Sequence, residues 1–260
     1  MNKIEVKILN HAAVKETEKN MVFVARLTQR GHAIHSMDDL MELYEKSFGE
    51  ELVKNISHLP HPTVQKFSVI TVAVVGASRR FLSQITRHQN EVKFMSASLQ
   101  YSDYSGEAAF AVPYEILMAE ENIRKFYMDS CQSDMDCYEE LCSMGIHHDA
   151  AGYATPQGLR NVLIISATTY QWKHMIGQRS CRRNTDEMRI VMLKIWQELY
   201  QFSPVLFAPD LTGPFCQRGI CAEGKMTCGN PLKKSQSPEQ ILQSNYPVLV
   251  EGGTDESKTD

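Results

Sequence analysis

The chain lacks the features that would tie it to a membrane, a secretory route or a polyanion. Its N-terminus, MNKIEVKILNH, has no apolar core of the signal-peptide kind. Its most apolar run, Phe67 to Ala77, is 11 residues, against the roughly 20 needed to cross a bilayer. Basic charge is not in excess: 27 Lys+Arg stand against 31 Asp+Glu, a formal net charge of −4, so any anion site must be a local cluster. There is no Gly-rich phosphate loop, no nucleophile elbow and no internal repeat. Seven cysteines, an odd number without a secretory signal, favour a reducing compartment with thiols as core residues or ligands. These readings predict a cytoplasmic protein without membrane or nucleic-acid partners.

With 260 residues and 43% hydrophobic content, the chain can bury a core unaided. Alternation over Lys3–Leu9 predicts a strand, and the Val/Ile-rich stretch Phe67–Val75 a second, broken by Gly76. Helices are expected over Glu16–Arg30, Met37–Phe48, Arg79–His88, Tyr114–Cys131, Asp134–Met144, Tyr170–Arg182 and Thr185–Phe202, with Ser78 capping the third. Residues 55–63 read as a turn-rich connector, 147–158 as a loop, and Leu159–Ile165 as either strand or helix. Few strands among many helices, without βαβ alternation, predict an α+β fold: one helix-rich domain over 1–235 with a small mixed sheet. A Cys-rich loop occupies 209–231, and residues 236–260 read as a partly disordered tail.

Three constellations could carry chemistry. Gln84, Arg87 and His88, at i, i+3 and i+4 of an expected helix, would present an amide, a guanidinium and an imidazole together. That inventory suits a phosphate or pyrimidine ligand, though a solvated polar face has the same pattern. Arg179, Arg182, Arg183 and Arg189 crowd one helix junction, either as an anion site or as a lattice in which Glu187 pairs with Arg183. Cys216, Cys221 and Cys228, with Cys181, could close a tetrahedral zinc site or serve as ordinary structure.

Read in order, these segments resemble the flavin-dependent thymidylate synthases. The family's Arg-His-Arg, seven residues, then Ser appears as Arg87-His88-Gln89, eight residues, then Ser98-Leu99-Gln100-Tyr101, with Gln89 and Gln100 replacing arginines. Its His-x-Ser/Thr-x-x-Glu-His appears as His61-Pro62-Thr63-Val64-Gln65-Lys66-Phe67, with Lys66 and Phe67 replacing the Glu-His pair. Arg179-Ser180-Cys181 and the Cys216–Gly229 ending also look like those of some members. The resemblance implies FAD, held by Thr63, Arg87, His88, Gln89 and His174. It implies a nucleotide held by Gln84, Arg87, Ser98, Gln100, Tyr101, Arg160 and Arg179, with Arg179 catalytic and no cysteine nucleophile. Lys66 would meet a phosphate. It further implies a homotetramer that methylates dUMP with methylenetetrahydrofolate and NADPH. The replaced residues leave open methylation or hydroxymethylation of UMP or dCMP, or a nucleotide-binding homologue without turnover.

Overall fold

Residues 4–59, 61–106, 108–219, 221, 223–232 and 235–251 are described by a computed structural model. Its centre is set by strand alternation. In β2 (Val69–Ser78) Ile70, Val72 and Val74 are fully buried, while Val69 and Val75 on the other face are exposed. β2 pairs with β1 (Glu5–Ile8) and with β4 (Arg160–Thr168), and β4 with β3 (Val92–Ser96), giving the order β1-β2-β4-β3. Every pairing is antiparallel, so the sheet is not the mixed one expected. Gly76 does not end β2. It forms a bulge at φ +87°, after which Ala77 and Ser78 stay in register with Asn161 and Arg160. The positive φ favours glycine, and a Cβ there would lie 2.0 Å from Arg160 Nη2, so the guanidinium would have to shift.

The inner face of the sheet packs against α1 (Val14–Arg30), α8 (Thr169–Arg179) and α9 (Asp186–Phe202). Nine residues of α9, Met188 to Leu199, are buried. The two tryptophans sit wholly inside this core, and neither leaves its indole N–H unpaired. Trp172 donates to Ile70 O at 3.0 Å and Trp196 to Phe207 O at 2.9 Å. On the N-terminal side lie α2 (Met37–Glu45), started by a Ser36–Asp39 capping box, and α3 (Glu50–Ser57), which takes the first part of the expected connector. A 3-10 segment, Pro62–Lys66, leads into β2.

A smaller cluster of Phe110, Met135, Tyr138, Ala151 and Leu159 lies under α6 (Glu121–Ser143). The expected pair of helices over 114–144 is instead a short α5 (Tyr114–Leu117) and one continuous α6, because no Gly or Pro interrupts residues 121–143. α4 (Arg79–Ile85) follows β2, capped by Ser78 Oγ, and α7 (His148–Ala151) supplies the helical turn within 147–158. The expected tail begins as ordered structure. Ser237 and Gln240 form a capping box on α10 (Pro238–Asn245), and α11 (Pro247–Glu251) follows. Ile241, Leu242 and Tyr246 join the main core, so the domain runs past 235. Residues 252–260 of that expected tail, and Pro60 of the connector, lie outside the described residues. No described helix is long and apolar enough to cross a membrane.

Candidate functional site

α4 stops at Ile85, three residues short of the expected end, and Thr86 Oγ1 turns back to Leu82 O at 2.9 Å. Arg87 and His88 therefore leave the helix, and helical spacing is not what joins them to Gln84. What joins His88 to Gln84 is Arg179, at the C-terminal end of α8, with Arg87 near enough to act on its charge. Arg179 Nε donates to His88 Nε2 at 2.8 Å, its Nη2 to the Gln84 carbonyl at 3.2 Å and its Nη1 to Asn184 Oδ1 at 3.4 Å. The His174 ring stands edge-on to His88 with centroids 6.2 Å apart. Gln84 Oε1 accepts from Thr185 Oγ1 at 3.4 Å. Five expected ligand residues thus meet: Gln84, Arg87, His88, His174 and Arg179.

The electrostatics follow from burial. His88 is 9% exposed, and burial, then the Arg179 cation, then His174 lower its pKa from 6.5 to about 4. The ring is therefore neutral at physiological pH, and the arginine's N–H fixes Nε2 as an acceptor, leaving the proton on Nδ1. Burial, reinforced by nearby Arg87, also lowers the Arg179 pKa. The guanidinium remains charged nonetheless. A cation that gives up hydration while its neighbour stays uncharged retains its field for a ligand.

Other expected residues lie elsewhere. Thr63 is exposed on the 3-10 segment that packs against α8, and Gln89 is exposed in the turn after His88. Ser98, Gln100 and Tyr101 follow β3. There Ser98 Oγ accepts from Gln100 N, Gln100 O pairs with His148 Nε2 at 2.7 Å, and Tyr101 is 82% exposed. Arg160 lies over Gly76 at the start of β4, with Nε 3.2 Å from Gly76 O. Lys66 does not wait for a phosphate: its Nζ pairs with Glu91 Oε1 at 2.6 Å. Glu187 does not pair with Arg183 but accepts from Ser78 N at 2.7 Å and Ser78 Oγ at 2.5 Å. Arg189 is buried and bonds to the Tyr246 hydroxyl, leaving Arg182 and Arg183 as the exposed pair of the four.

A cavity of about 330 Å³ adjoins this cluster, sharing His174, and is lined by Cys181, Cys216, Cys221 and Cys228. The four thiols surround it without closing on one point. Among the described residues no three His, Cys, Asp or Glu side chains form a metal-ligating group. Cys221 Sγ is 3.4 Å from Thr227 Oγ1 instead. The expected zinc site is thus not shown among the described residues. Burial pushes the Cys181 thiol pKa up, with the neighbouring Glu223, Cys216 and Cys228 adding to it. That is the reverse of what a nucleophilic cysteine needs.

The family model described as "Thymidylate synthase complementing protein" matches residues 7–205. A flavin-dependent thymidylate synthase of Geobacter sulfurreducens is 25% identical over 226 residues, covering 87% of this chain and 94% of the relative. The chain belongs to the flavin-dependent thymidylate synthase family. Its relatives are enzymes, and it is an enzyme of that type. A second relative, from Thermococcus onnurineus, is 28% identical over 71% of this chain and 78% of its own length. Two solved structures share the fold at 15% identity. A UMP/dUMP methylase, PolB from Streptomyces cacaoi bound with 5-Br dUMP, has a TM-score of 0.61 over 80% of this chain and 94% of its own. Thymidylate synthase X from Helicobacter pylori with FAD and dUMP has a TM-score of 0.55 over 80% and 99%.

The helix-rich fold with a small sheet is thus the family's, and the departures from its motifs can be placed. Two residues escaped the sequence reading. Asn184 orients Arg179, and nothing in its local pattern distinguishes it from a loop asparagine. Glu91 was signalled only indirectly, by a lysine where the family carries an acid, which its carboxylate pairs with.

Proposed function

We propose that this enzyme methylates C5 of dUMP to give dTMP, using FAD, methylenetetrahydrofolate as carbon donor and NADPH as reductant. The observation that carries the proposal is the half-buried Arg179 guanidinium held against a neutral His88. C5 of uracil is a weak nucleophile, and activating the ring places charge on it. A fixed cation in a water-poor site stabilises that charge without a covalent bond to the protein. His88 and the Gln84 carbonyl hold the guanidinium, so little reorganisation is needed when the ring arrives.

The residues present fit FAD. Arg87 and the neutral His88 offer a cation and a ring N–H to the polar edge of an isoalloxazine, and Thr63 adds a hydroxyl from the segment packed on α8. Gln89 and His174 complete the set, and when bound the flavin supplies the redox chemistry. Gln84, Arg87 and Arg179 would hold the nucleotide from one chain.

Ser98, Gln100, Tyr101 and Arg160 do not reach Arg179 within the chain, which supports a site completed by other subunits of a homotetramer. The outer face of the sheet, where Val69, Val75, Val162 and Met95 are 42–72% exposed, supports such association. The proposal is tested by offering isotope-labelled dUMP, UMP and dCMP together with FAD, NADPH and the folate. Labelled dTMP alone is expected, with Arg179→Ala abolishing product while flavin remains bound. A methylated or hydroxymethylated UMP or dCMP product reassigns the substrate, and a protein that neither binds FAD nor oxidises NADPH refutes the reading. Near-normal turnover in Arg179→Ala removes the role of this residue.

A further inference from the structure

Among the described residues Glu91 is the one non-glycine residue with positive φ, +54°. A left-handed glutamate is unfavourable, because its Cβ crowds the backbone. The surroundings return little stability for it. The Lys66–Glu91 pair is more than a quarter exposed on each side, and such pairs contribute weakly to folding. An unfavourable backbone with little stabilisation in exchange points to a function at that position.

Its contacts show what the position does. One carboxylate oxygen takes Lys66 Nζ at 2.6 Å, and the other accepts from Thr168 Oγ1 at 2.9 Å. The Glu91 carbonyl accepts from Thr168 N at 3.2 Å. Thr168 is the N-cap of α8, its Oγ1 also receiving Gln171 N at 3.2 Å, and α8 carries His174 and Arg179. Lys66 ends the 3-10 segment that carries Thr63, and its Nζ lies 5.0 Å from the Tyr170 ring centroid. Glu91 itself ends the turn that carries Arg87, His88 and Gln89. Three separate segments, each bearing expected ligand residues, are therefore bolted together at one carboxylate.

We infer that Glu91 is a positioning residue that holds the His88 turn in register with α8 and the Thr63 segment, through its ion pair with Lys66 and its bonds to Thr168. For its effect on flavin binding the inference rests on the function proposed above. The left-handed backbone places the carboxylate within reach of both Lys66 and Thr168.

Glu91→Gly is the informative variant, since glycine adopts this conformation without steric cost, so the carboxylate is removed without added backbone strain. Two quantities are read. FAD affinity, by flavin fluorescence, should weaken by roughly tenfold or more, as for loss of a charge-assisted bond network. The His88 imidazole titration, by NMR on the ligand-free protein, should move up from about 4 as the turn opens to water. The double variant Lys66→Glu with Glu91→Lys re-forms the ion pair but leaves Thr168 Oγ1 without its acceptor, so it should recover part of both losses. An unmoved His88 titration in Glu91→Gly, or a double variant no better than the single, overturns the inference. Wild-type protein that fails to bind FAD would sink the flavin reading alone, because the His88 titration still decides the role of Glu91.

Discussion

Protonating His88 should destabilise the folded chain by an amount the site geometry sets. The unfolded imidazole takes up a proton as pH falls through 6.5, whereas the folded one resists until about 4. Within that window the unfolded state binds more protons, so stability falls as pH is lowered and levels off below it. The full interval between those two values corresponds to roughly 3 kcal/mol. Burial is the leading cause and Arg179 the second, with His174 third and Arg87 acting on Arg179 from the solvent side. Urea unfolding of the ligand-free protein at about pH 7 and about pH 4.5 gives the dependence, but carboxylates contribute to it as well. The His88→Gln variant removes one titration only, so the difference between the two proteins isolates this ring. It should be about 2–3 kcal/mol. Arg179→Met should recover only part of it, because burial persists. The reasoning fails if His88 titrates near 6.5 by NMR, or if His88→Gln loses as much stability with acid as the wild type.

Two other perturbations probe the frame and the thiols. Gly76→Ala forces a side chain into a left-handed bulge, with its Cβ 2.0 Å from Arg160 Nη2. A loss of about 2 kcal/mol is expected, seen as a Tm lowered by roughly 4–8 °C, and an unchanged Tm would show that Arg160 moves freely aside. Cys181→Ser should retain turnover, and the wild-type thiol should alkylate slowly at neutral pH, because burial keeps it protonated. Loss of product formation in that variant, with folding intact, would point to covalent chemistry instead.

How far the sequence carries can be judged element by element. β2 was legible because it is a short run dense in Val and Ile, and α1 and α9 because their apolar residues recur at helical spacing. The ends were not. α4 terminates through a threonine side-chain bond that competes with the helix, and Gly76 bends a strand that glycine was expected to end. α10 reads as tail from its polar composition, yet Ile241, Leu242 and Tyr246 suffice to dock it, with the Tyr246 hydroxyl bonded to Asp186 and Arg189. The site divides in the same way. His88 and Arg179 are 91 residues apart, and motif resemblance nominates both without showing that one is the other's hydrogen-bond partner. That pairing depends on where α4 stops, a boundary its apolar pattern does not mark. Glu91 is the harder case, since an acid in a polar turn looks solvated and only its strained backbone, visible in three dimensions, sets it apart. The replaced position Lys66 is therefore not a bare loss from a motif: it is paired with Glu91, so the two side chains act as one local unit and a substitution at either is interpreted with the other in view.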